Sequence, residues 1–87
     1  MAEVMLPGNL LALFPGTPRR LSLDGATVGE VIRALDRRIP GMADRLLEAG
    51  PSIREHVNVF VDGDLARLDS PVGPASVVHV IPAVSGG

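Results

Sequence analysis

The 87-residue sequence contains no cysteine, lysine, tryptophan or tyrosine. Without cysteine the chain can form no disulfide, and it offers neither a thiolate nucleophile nor a cysteine ligand for a metal. Without lysine it has no amine for Schiff-base or general-base chemistry, and no side chain to which another protein could be joined by an isopeptide bond. Phe14 and Phe60 are the only aromatic residues, which argues against a stacking platform for bases or sugars.

Charge and hydropathy exclude further classes of protein. The formal net charge is −2 and all eight basic residues are arginine, so the chain lacks the basic surface that binding to a phosphate backbone requires. No apolar run approaches the roughly 20 residues that span a membrane, and the first residues show no secretory signal pattern. We therefore expect one cytoplasmic domain that binds neither nucleic acid nor membrane.

The residues that could carry catalysis do not form a recognisable motif. His56 and His79 lie far apart and have no acidic cluster at metal-ligand spacing, so we predict no metal site. The segment Asp62-Gly63-Asp64 lacks the further ligands of a calcium loop and is interpreted as a hairpin turn. The serines have no nucleophile-elbow context, and the phosphate-loop spacing Gly-x-Gly-x-x-Gly does not occur. We expect no bound cofactor and no enzyme activity of the chain's own.

Apolar alternation predicts two short strands before the first helix. Residues 3–6 form the first strand, with Val4 and Leu6 on one face. Residues 9–18 are predicted to be a loop that carries an apolar patch. Residues 19–23 form the second strand, with Leu21 and Leu23 directed to the core.

A capping box marks the start of the main helix. Thr27 stands three residues before Glu30, the spacing at which the two side chains cap each other's backbone. The apolar residues that follow at helical spacing are Val28, Val31, Ile32, Leu35 and Ile39. The pair Pro40-Gly41 ends the helix, and residues 42–47 suggest a second, short helical turn.

The second half of the sequence predicts three more strands. Residues 57–61 alternate valine with other residues, and Asp62-Gly63 is a hairpin signal that leads into a return strand at 65–68. Residues 70–75 are a loop, and 77–81 form the last strand. This order predicts an α+β domain over 1–81 with helices on one face of the sheet. Residues 82–87 carry no helix or strand signal and are predicted to project as a flexible tail.

The end of the chain resembles that of a known family. Residues 80–87 read Val-Ile-Pro-Ala-Val-Ser-Gly-Gly, which resembles the hydrophobic-Pro-x-Val-Ser/Thr/Ala-Gly-Gly ending of the ubiquitin-like sulfur carriers of the MoaD/ThiS type. Residues 57–63 resemble the family's VNxxV strand with its hairpin, and residues 27–31 resemble its helix start. Residues 72–76 depart from the Asp-Gly-Asp that usually precedes the last strand. In its length and in residues 54–58, the sequence is most similar to the carriers of cysteine biosynthesis and their relatives in secondary metabolism.

The resemblance implies a fold and a chemistry. The fold is a ubiquitin-like β-grasp, with a mixed sheet of four to five strands packed on one main helix. An adenylating enzyme of the ubiquitin-activating type (MoeB/ThiF-like) uses ATP and magnesium to activate the Gly87 carboxylate, and sulfur then replaces AMP to leave a thiocarboxylate. A sulfur-accepting synthase takes the sulfur. The residues of the implied tail before Gly87 are Pro82, Ala83, Val84, Ser85 and Gly86.

The resemblance also implies a docking surface on the sheet. Motif alignment indicates Leu65 and Ile81 as contacts for the activating enzyme. Phe60 is added because its position in the alternating strand 57–61 predicts an exposed side chain. Three alternatives stay open: the small subunit of molybdopterin synthase, a ubiquitin-like modifier conjugated through Gly87, and a plain interaction domain.

Overall fold

A computed structural model describes residues 1–82 of the chain. Three helices and seven strands follow one another in it. The first five elements are β1 (Ala2–Met5), α1 (Gly8–Leu13), β2 (Arg20–Leu23), α2 (Val28–Arg38) and α3 (Met42–Leu46). The other five are β3 (Leu47–Glu48), β4 (Ser52–Ile53), β5 (Val57–Val61), β6 (Asp64–Leu65) and β7 (Val77–Pro82).

Five of the strands form one mixed sheet in the order β2-β1-β7-β5-β6. The pair of β1 and β7 is parallel, and the other three pairs are antiparallel. The central strand is therefore β7, and β1, from the amino end of the chain, lies beside it. Strands β3 and β4 form a separate small hairpin. The expected mixed sheet on one main helix is confirmed.

The core lies between one face of this sheet and the helices. The apolar stripe of α2 is buried as predicted through Leu35, and only Ile39 remains half-buried. On the sheet side of the core, Val59 of β5 and Val78 of β7 are each 1% exposed. No polar or charged residue among 1–82 is buried. Because each fully buried valine or leucine contributes roughly 1.5–3 kcal/mol, this apolar layer is the main source of stability.

The predicted capping box is present at the start of α2. The Glu30 N–H donates to Thr27 Oγ1 at 3.2 Å, and Glu30 Oε1 accepts from the Ala26 N–H at 3.2 Å. The Glu30 side chain thus binds the backbone N–H of Ala26, the residue before the N-cap Thr27, rather than that of Thr27 itself. Residues 68–70 contribute further acceptors, because Leu68 O accepts from the Gly29 N–H and Ser70 O from the Val28 N–H. These bonds fix the helix against the β6–β7 connection.

Those same bonds explain why the return strand is shorter than predicted. The sequence predicts a strand over 65–68, but β6 ends at Leu65. One further ladder bond, from the Ala66 N–H to Val59 O at 2.8 Å, continues the pairing. The chain then leaves the sheet, since the Leu68 and Ser70 carbonyls are bound to the N-terminus of α2.

The predicted loop at 9–18 is wrong in its first half. Residues Gly8–Leu13 form α1, and Leu10 is buried in the core. The Pro-Gly pairs around this segment suggest a loop, but Leu10, Leu11 and Phe14 are spaced to share one helical face, and that face packs on the core. The β3–β4 hairpin was not predicted either, because each of its strands has only two residues.

Asp62 joins the β5–β6 turn to the start of β7. It has a positive φ of 51° and Gly63 has a φ of 90°, the pair of left-handed conformations that a two-residue hairpin requires. Asp62 Oδ1 accepts from the Val77 N–H at 2.9 Å. This bond, with a second from the Ser76 side chain, lowers the pKa of the carboxyl group below its ordinary value.

The lowered pKa of Asp62 predicts a pH-dependent contribution to stability. Because the folded-state pKa is below the unfolded one, the contribution is present above the ordinary value near about 4 and is lost as pH falls through the lowered pKa. Asp62→Asn retains an acceptor oxygen but no charge. We expect the difference in urea midpoint between wild type and Asp62→Asn to shrink as pH falls below about 4. A difference that stays constant with pH would contradict this assignment.

Candidate functional site

The described chain ends at the root of the predicted tail. Pro82 is the last residue of β7 and lies opposite Val57 of β5. The sheet therefore extends one residue beyond the predicted limit at Ile81. The predicted tail residues Ala83, Val84, Ser85, Gly86 and Gly87 lie outside the described residues.

The outer face of the sheet, turned away from α2, is fixed by strand register. Phe60 pairs with Leu65 of β6 on one side and with His79 of β7 on the other. His79 pairs in turn with Met5 of β1, and Met5 with Arg20 of β2. Because directly paired residues project to the same face, five side chains form one row across the sheet. We call this the outer row: Leu65, Phe60, His79, Met5 and Arg20.

The outer row brings the predicted docking residues onto one surface. Phe60 and Leu65 are direct cross-strand neighbours, and Ile81 lies two residues after His79 on the same face of β7. Leu65 is 68% exposed and Ile81 is 42% exposed, while Phe60 is half-buried. Ile81 also adjoins Pro82, so the apolar surface reaches the root of the tail. That these three side chains bind a partner remains a prediction.

Three members of the outer row, His79, Met5 and Arg20, are not among the docking residues that the sequence predicts. Met5 stands between the core residues Val4 and Leu6, so the alternation of the first strand predicts that its side chain points outward. Its position beside His79 cannot be predicted from the sequence, because it depends on the parallel pairing of two segments at opposite ends of the chain. At the rim, Arg20 Nε lies 2.7 Å from Glu3 Oε1. Both side chains are exposed, so this ion pair contributes at most about 1 kcal/mol.

A small cleft of about 50 Å³ adjoins the tail root on the opposite side of β7. Its floor contains the core residues Leu46 and Val80, and Pro82 lies at its edge. Arg45 and His56 line the same cleft, and both are exposed. The tail root therefore has apolar Ile81 on the outer face, and an arginine and a histidine side chain on the helix side.

Ionisable side chains and an open groove make up another part of the described surface. Within residues 1–82, no group of three histidine, aspartate or glutamate side chains could hold a metal ion. An open groove of about 710 Å³ lies at the sheet edge between residues 51–59 and 65–69. Its ionisable residues Arg54, Glu55, Arg67 and Asp69 are all exposed. None of the helices in this part of the chain is long and apolar enough to cross a membrane.

The chain is similar in sequence and in structure to known small proteins. The chain is 40% identical over 68 residues to Small archaeal modifier protein 3 of Haloferax volcanii, covering 74% of this chain and 73% of that protein. It is 28% identical over 85 residues to the sulfur carrier protein CysO of Mycobacterium tuberculosis, with 91% of each chain covered. Its structure matches a chain of the Amycolatopsis orientalis BexX/CysO complex with a TM-score of 0.89 at 26% identity, over the full length of both.

The family model named ThiS family matches residues 12–87. The match includes α2, the β5–β6 hairpin, β7 and the terminal Gly-Gly, which are the segments that carry the resemblance found in the sequence. The fold is the ubiquitin-like β-grasp that the CysO and archaeal modifier structures also have. The chain thus belongs to the ThiS family of small ubiquitin-like proteins.

Proposed function

We propose that this chain is a sulfur carrier that bears its reactive group on Gly87. Its carboxylate is activated by an adenylating enzyme of the ubiquitin-activating type and is then converted to a thiocarboxylate. The thiocarboxylate supplies sulfur to a biosynthetic reaction that forms cysteine, a cofactor or a secondary metabolite. The observation that carries this proposal is the ThiS-family match, which extends through Gly86 and Gly87 to the end of the sequence.

The chemistry explains why a terminal glycine is suitable. A carboxylate oxygen of Gly87 attacks the α-phosphorus of ATP, pyrophosphate leaves, and the acyl carbon becomes electrophilic. Hydrosulfide then forms the C–S bond, the C–O bond to AMP breaks, and the proton of the hydrosulfide is released. Glycine has no Cβ and adopts backbone conformations closed to other residues, so the last two residues can pass through a narrow channel. ATP and Mg²⁺ belong to the partner in this scheme.

The outer face of the sheet is the surface we assign to the activating enzyme. Leu65 and Ile81 are large, apolar and exposed on this face, and a contiguous apolar surface is typical of a protein-binding site. Its continuity with Pro82 matters, because a partner that covers Ile81 is placed to receive the tail. The sulfur-accepting synthase is the second partner of this proposal.

A ubiquitin-like modifier is the second candidate function. The 40% identity to Small archaeal modifier protein 3 is the observation that favours it. In that case the activated Gly87 carboxyl group forms an amide with a lysine of another protein. Both functions begin with activation of Gly87, so only the acceptor distinguishes them.

The proposed function is tested by the intact mass of the chain after incubation with the adenylating enzyme of its host, ATP, Mg²⁺ and sulfide. We expect one oxygen to be replaced by sulfur, and a thiol-alkylating reagent to add once. Since the chain has no cysteine, an adduct reports the thiocarboxylate directly. An unchanged mass, together with lysine-linked conjugates in host cells, would contradict the carrier function and favour the modifier.

Leu65→Asp tests the docking surface. A carboxylate placed at this exposed position must be desolvated when an apolar partner surface covers it. We expect the Kd for the adenylating enzyme to rise at least about 10-fold, measured by calorimetry. Leu13→Asp is the matched control, because Leu13 is 52% exposed but lies on α1, outside the outer row. Equal affinities of the two variants would remove Leu65 from the interface.

A further inference from the structure

We propose that the free edge of β2 binds an extended, acidic segment of another protein, which adds to the sheet as a further strand. This edge lies at the opposite side of the sheet from β6, away from the surface formed by Leu65 and Ile81. Two independent features carry the proposal. One is a row of backbone groups directed outward from β2, and the other is a set of arginines near both ends of that strand.

The backbone of β2 is open on one side. It is the outermost strand in the order β2-β1-β7-β5-β6, and no strand among residues 1–82 pairs with its outer side. The Leu6 N–H donates to Arg19 O at 2.8 Å, so the backbone groups of Arg19 are directed toward β1. Because this direction alternates along a strand, the N–H and C=O groups of Arg20 and Ser22 are directed outward. Both residues are exposed, so an added strand finds donors and acceptors there.

Arginines of α2 lie near both ends of this edge. At the start of β2, Arg38 lines a cavity of about 350 Å³ together with Leu21. Beyond the end of β2, Arg33 and Arg37 line a second cavity, of about 300 Å³, together with Asp24. All three arginines are exposed, and none forms a salt bridge with an acidic side chain of residues 1–82. The edge is therefore flanked by positive charge.

The acidic residues of this region do not cancel that charge. Residues 19–38 contain five arginines and three acidic residues, although the chain as a whole has a net charge of −2. Glu30 is engaged by the Ala26 N–H in the capping box. Asp36 accepts hydrogen bonds from the N–H groups of Gly41 and Ala43 at the start of α3. Asp24 is thus the one carboxylate of this segment without a hydrogen bond or salt bridge to residues 1–82.

These two features favour an acidic extended segment over a second copy of this chain. Strand β2 has four residues, so a partner strand of about the same length would place its flanking residues near Arg38 at one end and near Arg33 and Arg37 at the other. A second copy paired through β2 would bring two sets of arginines together, which is unfavourable. Exposed ion pairs are individually weak, so the segment needs the backbone hydrogen bonds as well as the charge.

The test adds a synthetic peptide to the full chain labelled with nitrogen-15 and follows the backbone amides by NMR. The peptide has the sequence Glu-Glu-Val-Thr-Val-Thr-Glu-Glu and is capped at both ends. Its centre favours a strand, and its glutamates supply the flanking charge. We expect saturable shifts at the amides of Arg20 and Ser22, and none at Leu65 or Ile81. The affinity should fall as the salt concentration rises, because the charges involved are exposed.

Arg38→Glu separates the contribution of charge from the rest. We expect it to raise the Kd of the peptide at least about 5-fold. Arg45→Glu is the matched control, because it changes the net charge equally and Arg45 is also exposed in the last turn of its helix. Arg45 lines a different cavity, beside Pro82, so this variant should bind like wild type. A peptide with lysines in place of its glutamates, and one N-methylated at its four central residues, should not bind.

Four results would overturn the proposal. Absence of shifts at Arg20 and Ser22 with millimolar peptide would show that the edge of β2 takes no added strand. Equal binding of the lysine peptide, or equal affinities of Arg38→Glu and Arg45→Glu, would show that the arginines of α2 do not select the segment. Unchanged binding of the N-methylated peptide would exclude backbone pairing. Since loading of Gly87 takes no part, each result is independent of whether the proposed function is correct.

Discussion

Deletion of Gly87 is expected to abolish sulfur loading and to leave the fold unchanged. The shortened chain still ends in a glycine carboxylate, but that carboxylate lies one residue, about 3.3–3.6 Å, short of its normal position. A shift of this size removes the reacting oxygen from attack distance of ATP in the partner's site. Loading is measured by intact mass after incubation with the adenylating enzyme, ATP, Mg²⁺ and sulfide.

Ser85→Ala is the control for this deletion. It changes the tail without changing its length, and alanine is one of the residues that the family pattern allows at this position. We expect it to load like wild type. Equal loading of the Gly87-deleted chain would contradict the carrier function, because it would show that the position of the terminus does not matter. A matching far-ultraviolet circular dichroism spectrum checks that the deletion has not altered the fold.

Val59→Asp is expected to unfold the domain at neutral pH. Val59 is 1% exposed at the centre of β5 and belongs to the core that α2 covers. The substitution removes the valine's transfer free energy, roughly 1.5–3 kcal/mol, and places a carboxylate where no polar residue among 1–82 is buried. A total destabilisation of about 4–5 kcal/mol or more is expected, which approaches the whole stability of a small domain. Thermal and urea unfolding measure it.

Asn58→Asp is the control for this core substitution. It adds the same carboxylate one residue earlier in β5, on the outer face, where the side chain is half-buried and opposite Ile81. We expect a change in unfolding free energy of about 1 kcal/mol or less. A Val59→Asp protein as stable as Asn58→Asp would mean that the two faces of β5 are assigned the wrong way round.

The strand phase and the turns were predictable because each depends on residues close in sequence. Alternation in Val57–Val61 determines which side chains of β5 face the core. Asp62 and Gly63 can adopt the left-handed conformations of a tight hairpin. Thr27 and Glu30 cap α2 across a single turn. None of these features requires knowledge of the rest of the chain.

The loop predicted in place of α1 shows where local reasoning fails. Its Pro-Gly boundaries are turn signals in isolation, and six residues are too few for a stable free helix. Burial of Leu10 against the core decides the outcome. In the same way, the chain leaves the sheet soon after β6, because the carbonyls of Leu68 and Ser70 bind the start of α2. Both results depend on partners distant in sequence.

The class of fold and the core phase of the main helix and strands could be predicted from the sequence, which also contains the Gly-Gly ending on which the proposed chemistry depends. Which side chains share a surface depends on how the strands pair. The parallel pairing of β1 with β7 places Met5 beside His79 and completes the outer row. The same pairing places Glu3 opposite Val77, at the end of β7 remote from Pro82. Register between strands that are more than 70 residues apart is set by the packing of the whole core, and no local pattern encodes it.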